Sequence, residues 1–269
     1  MCVRYTLHKP DDALAAIAAA LARKLTLSPP ALSESNGLPD WATRRFNITL
    51  THVVPVVSAG ADGPELHGMV WGLVPAYARS QATTPSCSSA KTTTMLHNAK
   101  AETAATLSAF KQSVAKRRCL VPANGFYEWQ TFGKLKLPHL FTLRDEEPFA
   151  FAGIWEPGEE EAEVEQEGTE RKEGRAGSMP GSFAILTTTP NDLVAPIHNR
   201  MPVILTADAM RRWLGSDPLP EEEYRSLTAP LPADRMQARP VSRYVSNSRN
   251  DGPQCHAAPD APSPELALG

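Results

Sequence analysis

A series of short runs rich in β-branched and aromatic residues constrains this chain most. They lie at Val53 to Val57, His67 to Val74, Arg118 to Val121, Phe126 to Gln130, His139 to Arg144, Phe149 to Trp155 and Phe183 to Thr188. Each is bounded by turn residues, which is how strands read in a sequence. Helices are predicted where Asp11 and Asp12 lead into Ala13 to Ile17, over Ala101 to Lys116 with Ala105, Phe110 and Val114 in period, and over Ala207 to Leu214 behind Thr206. These helices do not alternate with the strands as a β–α–β repeat requires, so a wound parallel sheet is excluded. The expected class is α+β, with a mostly antiparallel, barrel-like sheet core and flanking helices.

At 269 residues the chain is long enough for one large domain, expected over residues 1–252. Glu156 to Gly181 is charged and nearly free of bulky apolar residues, so it reads as a flexible insertion between two strands. Leu27 to Asp40 and Arg79 to Thr94 read as polar loops, and residues 253–269 as a disordered, Pro- and Ala-rich tail. Four cysteines, Cys2, Cys87, Cys119 and Cys255, form no C-x-x-C pair, which argues against a zinc ribbon or a disulfide scaffold. The histidines show no metal-ligand spacing, so neither metal nor cofactor is expected. Met1 to Asp12 lacks the apolar stretch of a signal peptide, and Ala13 to Ala22 is too short to span a membrane. A reducing, cytoplasmic setting is expected, with Cys2 kept as a thiol. The formal net charge of −3 excludes a polycation, so a nucleic-acid partner requires a local basic patch.

Four polar islands stand in apolar surroundings: Cys2-Val3-Arg4-Tyr5, His97-Asn98-Ala99-Lys100-Ala101-Glu102-Thr103, Cys119 to Trp129, and Pro196 to Leu205 with His198-Asn199-Arg200-Met201-Pro202 at its centre. Singly each is weak. Glu128 between Tyr127 and Trp129 reads equally as the outward residue of a strand, His198 as a loop histidine, and Trp71 as plain core.

Together, in this order, the islands resemble the SOS response-associated peptidase family, whose members shield abasic sites in single-stranded DNA. The family is marked by M-C-G-R, N-A-R-x-E-T, R-C-x-x-P-x-x-G-F-Y-E-W and H-x-R-M-P. Matching stretches here are joined by Phe46-Asn47-Ile48, by Trp71-Gly72-Leu73-Val74-Pro75 and by Pro240-Val241-Ser242-Arg243, so the resemblance covers roughly residues 1–252. It implies that Cys2, freed of Met1, condenses through its α-amine with the ring-opened abasic sugar, after which its thiol closes a thiazolidine. Both nucleophiles are chemically apt near neutral pH, and the second step is intramolecular.

The resemblance further implies catalytic roles for Asn98, Glu128 and His198 beside Cys2. It implies DNA contacts by Arg4, Asn47, Leu50, Trp71, Tyr77, Lys100 and Arg243. The implied partner is single-stranded DNA carrying abasic sites; a monomer is expected, cytoplasmic and nucleoid-associated when bound, or nuclear in a eukaryote. Strand scission as a lyase side activity follows from the same Schiff base. Val3 stands where the family has Gly, Lys100 where it has Arg, and Leu50 where many members have Pro; loss of the bidentate guanidinium at Lys100 weakens a phosphate grip. Two other readings stay open: a cysteine (auto)peptidase with Cys2, His198 and Glu128 as nucleophile, base and orienting group, and a non-covalent binder of single-stranded or modified DNA.

Overall fold

The computed structural model describes residues 3–27, 39–80, 95–158, 180–215 and 217–259. Cys2, most of the two expected loops, residues 159–179 of the charged insertion and the last stretch of the tail lie outside the described residues. Strands and helices follow one another as β1 (Arg4–Leu7), α1 (Pro10–Leu21), β2 (Thr26–Leu27), β3 (Arg45–Thr49), β4 (Val53–Ala59), β5 (Pro64–Trp71), α2 (Ala76–Ser80), β6 (Asn98–Lys100), α3 (Ala101–Ala104), α4 (Lys111–Lys116) and β7 (Arg118–Ala123). There follow β8 (Gly125–Phe132), β9 (Leu135–Leu143), β10 (Phe149–Glu156), β11 (Ser182–Thr188), β12 (Met201–Pro202), β13 (Ile204–Leu205), α5 (Ala207–Leu214), α6 (Glu221–Leu227) and β14 (Met236–Pro240).

Strand pairing bears out the antiparallel, barrel-like core. β5 pairs with β4, β4 with β7, β7 with β10 and β10 with β11, all antiparallel. β11 then returns beside β5 in parallel, Phe183 opposite Trp71, and closes the ring. A second sheet, in the order β14-β9-β8-β1-β3, is antiparallel throughout. Alternation along a strand sorts the two cores. On β10, Phe149 and Phe151 pack with Tyr5, Phe126 and Phe141 of the second sheet, whereas Ala150 and Ala152 face the cluster that holds Leu14 and Ile17 of α1 and Trp213 of α5. Large rings fill the space between sheets, and small residues let helices approach. Buried Arg118 donates to the carbonyls of Val114, Ala115, Trp213, Gly215 and Asp217, satisfying acceptors that helix ends leave unpaired.

Three expectations are corrected. Ala101 to Lys116 is two short helices, because Thr106 turns its hydroxyl back onto the Thr103 carbonyl and ends the first. The strand expected to reach Val74 stops at Trp71. Gly72 adopts φ +148°, and a side chain there would press on Met95 and His97 at 3.3 and 3.4 Å, so the turn that delivers β6 depends on glycine. Order also continues past Gly252. Pro253–His256 forms a 3-10 turn that buries Cys255 against Tyr127, Leu140, Val241 and Val245, and the Ala257 carbonyl accepts the Ser242 N–H at 2.9 Å.

Candidate active site

β8 carries Gly-Phe-Tyr-Glu-Trp outward from the core, and alternation alone would send Glu128 to the same side as the buried Phe126. Glu128 is 3% exposed, and burial pushes its carboxyl pKa up to about 7. Its Oε1 has no hydrogen-bond partner among the described residues and lies 3.9 Å from Nδ1 of His198. His198 arrives on a chain of turns after β11. Asn191 Oδ1 accepts the N–H groups of Leu193 and Val194, and the Val194 carbonyl accepts the His198 N–H at 2.9 Å. The His198 Nδ1 also faces the Arg200 main chain, 3.1 Å from its N–H. Burial holds the imidazole pKa below its ordinary value, so the ring is neutral at pH 7. A half-protonated acid beside a neutral base can pass a proton in either direction near neutrality.

This pair opens into a cleft of about 920 Å3 lined by Val3, Arg4, Glu128, Trp129, Thr131, Lys134, Leu135, Lys136, His198, Arg243 and Ser246. Four of those side chains are permanent cations at pH 7, and Glu128 is the lone acid among them. A chain of net negative charge therefore concentrates positive charge in one cleft, the local patch that a nucleic-acid ligand requires. Among the described residues no cluster of three His, Cys, Asp or Glu is placed to hold a metal ion, and no helix is long and apolar enough to cross a membrane.

The structure divides the remaining sequence candidates. Arg4 and Arg243 line the cleft. Arg4 is braced there: it donates to the carbonyls of Val245 and Ser246 and lies 5.6 Å over the Trp129 ring. Asn98 sits half-buried on β6 opposite Ile185, and Lys100, exposed, opposite Thr187. Tyr77 on α2 is exposed but does not line the cleft. Leu50 is half-buried against the core.

Two expected DNA contacts are corrected. Trp71 is fully buried, stacks on Phe183, meets Tyr5 edge-on and donates to the His97 carbonyl at 2.9 Å; it is core. Asn47 is fully buried too. Its amide donates to the carbonyls of Val245, Asn247 and Asn250 at 3.2, 3.0 and 2.8 Å, which fixes the segment bearing Arg243 and Ser246. Asp251 completes that staple by accepting the N–H groups of Phe46 and Asn47.

Sequence reasoning missed the link between two of the islands. The Arg200 guanidinium grips the Glu102 carboxylate with both prongs, at 2.7 and 2.8 Å. The signal was present, since both residues belong to the quoted motifs, but nothing in their spacing joins them. Lys134 and Lys136 were missed because surface lysines carry no motif.

A family model described as SOS response associated peptidase matches residues 1–248. Over 204 residues the chain is 30% identical to the abasic site processing protein YoqW of Bacillus subtilis, covering 76% of this chain and 80% of that protein. With the abasic site processing protein YedK of Escherichia coli it shares 26% identity over 255 residues, 94% and 97% of the two chains. With the abasic site processing protein HMCES of Gallus gallus it shares 32% over 218 residues, 74% of this chain and 60% of the longer relative. A crystal structure of a protein from Bacteroides thetaiotaomicron matches in fold, with a TM-score of 0.67 at 22% identity over 96% of this chain and all of that one.

Proposed function

The chain belongs to the SOS response associated peptidase family, and on that premise we propose that it binds single-stranded DNA and links itself covalently to abasic sites through Cys2. The observation that carries this reading is Glu128, its pKa raised by burial to about 7, beside His198 in a cleft that also holds Arg4, Lys134, Lys136 and Arg243. Val3, the residue bonded to Cys2, lines that same cleft. The relatives, abasic site processing proteins from bacteria and a bird, support abasic sites as the substrate.

With Met1 removed, the Cys2 amine adds to the open-chain aldehyde of the abasic sugar. The neutral Glu128 carboxyl donates a proton to the departing hydroxyl, and the Schiff base forms with loss of one water. The Cys2 thiol then adds to the imine carbon, and its proton passes to the nitrogen, closing a five-membered thiazolidine. His198 carries the proton that ring opening places on the sugar oxygen. Arg4 and Arg243 hold the flanking phosphates, and Asn98 and Lys100 complete the strand's path along β6. Exposed Tyr77 and half-buried Leu50 are the remaining candidates for contact with the strand. The role is protection of damaged single strands in the DNA damage response, with strand scission as a lesser outcome of the same Schiff base.

The test is a single-stranded oligonucleotide with one abasic site, resolved on a denaturing gel after incubation, with intact mass reporting the loss of Met1. A covalent band that vanishes in Cys2→Ser is expected. An equal band in Cys2→Ser, or none with the wild type, overturns the proposal. Cleavage of an unrelated peptide that depends on Cys2 would favour a peptidase instead.

A further inference from the structure

Lys134 and Lys136 have no part in the chemistry above, yet both face the cleft that holds Glu128 and His198. They sit on the β8–β9 hairpin, whose register pairs Glu128 with His139, Thr131 with Lys136 and Phe132 with Leu135. The two-residue turn is Gly133-Lys134. Gly133 adopts φ +57°, which the primed hairpin turns favour at their first central position, and a side chain added there would meet nothing within 4 Å. The tip is thus tight and projects clear of the protein. At its end Phe132 is 53% exposed, a large ring that adds nothing to the core. Along β8, Glu128, Gln130 and Phe132 share one face, so Phe132 stands four residues outward from the reactive carboxyl, about 13 Å at roughly 3.3 Å per residue. Lys136 lies beside Thr131 and Trp129 on the other face. Arg4, Arg243 and Ser246 line the same cleft, with Arg4 over the Trp129 ring and the Trp129 Nε1–H donating to the Ser246 Oγ at 3.1 Å, so the hairpin continues the surface that Arg4 begins.

Resting on the reading that the ligand is single-stranded DNA, we infer that the β8–β9 hairpin extends the strand's path beyond Arg4 and Glu128, with Lys134 and Lys136 binding backbone phosphates and Phe132 stacking on a base near the lesion. Four cations along one cleft, with an exposed aromatic ring at the hairpin's end, suit a polyanion that carries π-faced bases. An anionic metabolite would need neither the length of this surface nor the ring at its tip.

Fluorescence anisotropy tests this with a labelled single strand carrying one tetrahydrofuran analogue of the abasic site, which cannot form an aldehyde. The proteins are the wild type, Lys134→Ala/Lys136→Ala, Lys136→Ala, Lys136→Glu and Phe132→Ala, from 50 to 200 mM salt, with melting curves confirming that each is folded. Two lost phosphate contacts should lower the slope of log affinity against log salt by about 1.4 in the double variant. Lys136→Glu should weaken binding more than Lys136→Ala. Phe132→Ala should lose at least about fivefold in affinity, and this loss should vanish when the flanking bases are replaced by abasic spacers. An unchanged salt slope together with unchanged affinity in Phe132→Ala overturns the hairpin inference. If the wild type still crosslinks a natural abasic strand in that case, only this inference falls. If the wild type neither binds nor crosslinks, the DNA reading falls with it.

Discussion

The Oε1 atom of Glu128 lies 3.9 Å from Nδ1 of His198, and burial holds the two groups in opposite directions from their ordinary pKa values, the acid up and the base down. Both are therefore neutral over much of the range in which an amine condenses with an aldehyde. That sets the first prediction. The folded-state pKa of Glu128 is about 7 against an ordinary 4.5, so its contribution to stability is complete below pH 4.5 and is lost as pH rises through 7. Glu128→Gln keeps the shape without the charge. It should melt above the wild type at pH 8, by an amount of order 3 kcal/mol or roughly 6–12 °C, and the two curves should meet near pH 4. The same variant loses the proton donor, and crosslinking should slow about a hundredfold or more. A melting difference that ignores pH would show that the carboxyl is not burial-shifted.

Asn47 supplies the second. One buried amide holds three carbonyls of the segment after Arg243, so truncation leaves acceptors unpaired in a dry site. Asn47→Ala should cost about 2–4 kcal/mol. Amide hydrogen exchange should quicken over 243–251, and DNA affinity should fall because Arg243 and Ser246 lose their fixed position. Unaltered exchange in that segment, with the protein folded, would remove the positioning role.

Much of this site was legible in the sequence, through motifs taken together and not through any one residue. Glu128, His198 and Arg4 stand in three of the polar islands, Arg243 follows from the family resemblance, and all four line one cleft. What escaped was information that exists only after the chain folds. Trp71 and Asn47 sit in equally distinctive motifs, yet their burial is decided by the return of β11 to β5 and by the 243–251 segment. Ring closure itself has no local signal, since Phe183 and Trp71 are over a hundred residues apart. Pro253–His256 was hidden for the opposite reason: its composition is that of a loose tail, while one cysteine and the Asp251 staple tie it down.

Trp71→Phe separates core from contact. The substitution leaves a void beside Phe183 and Tyr5 and removes one of the two donors to the His97 carbonyl, leaving the Ile185 N–H at 3.1 Å. It should lower stability by about 1–3 kcal/mol, while oligonucleotide affinity of the folded protein stays within twofold of the wild type. A large loss of affinity at unchanged stability would return Trp71 to the DNA surface.

The last prediction concerns how His198 is held. Arg200 spends its guanidinium on Glu102 and Thr187, and its own N–H reaches His198 Nδ1, so the ion pair anchors the histidine loop to the start of α3. Arg200 holds the Glu102 carboxyl below the usual carboxylate range; that stabilisation is present above pH 4.5 and fades as pH falls through the lowered pKa. The Glu102 side chain is 46% exposed, so solvent screening limits the pair to under about 1 kcal/mol of stability. Its value lies in position. Glu102→Ala should melt within a few degrees of the wild type yet crosslink about tenfold more slowly, short of the hundredfold that a 1 Å misplacement can bring. The deciding measurement is a double-mutant cycle. If Glu102 acts through His198, then Glu102→Ala made in a His198→Ala background should cost nothing further. Losses that multiply in the double variant would assign Glu102 and Arg200 an independent part in binding the strand.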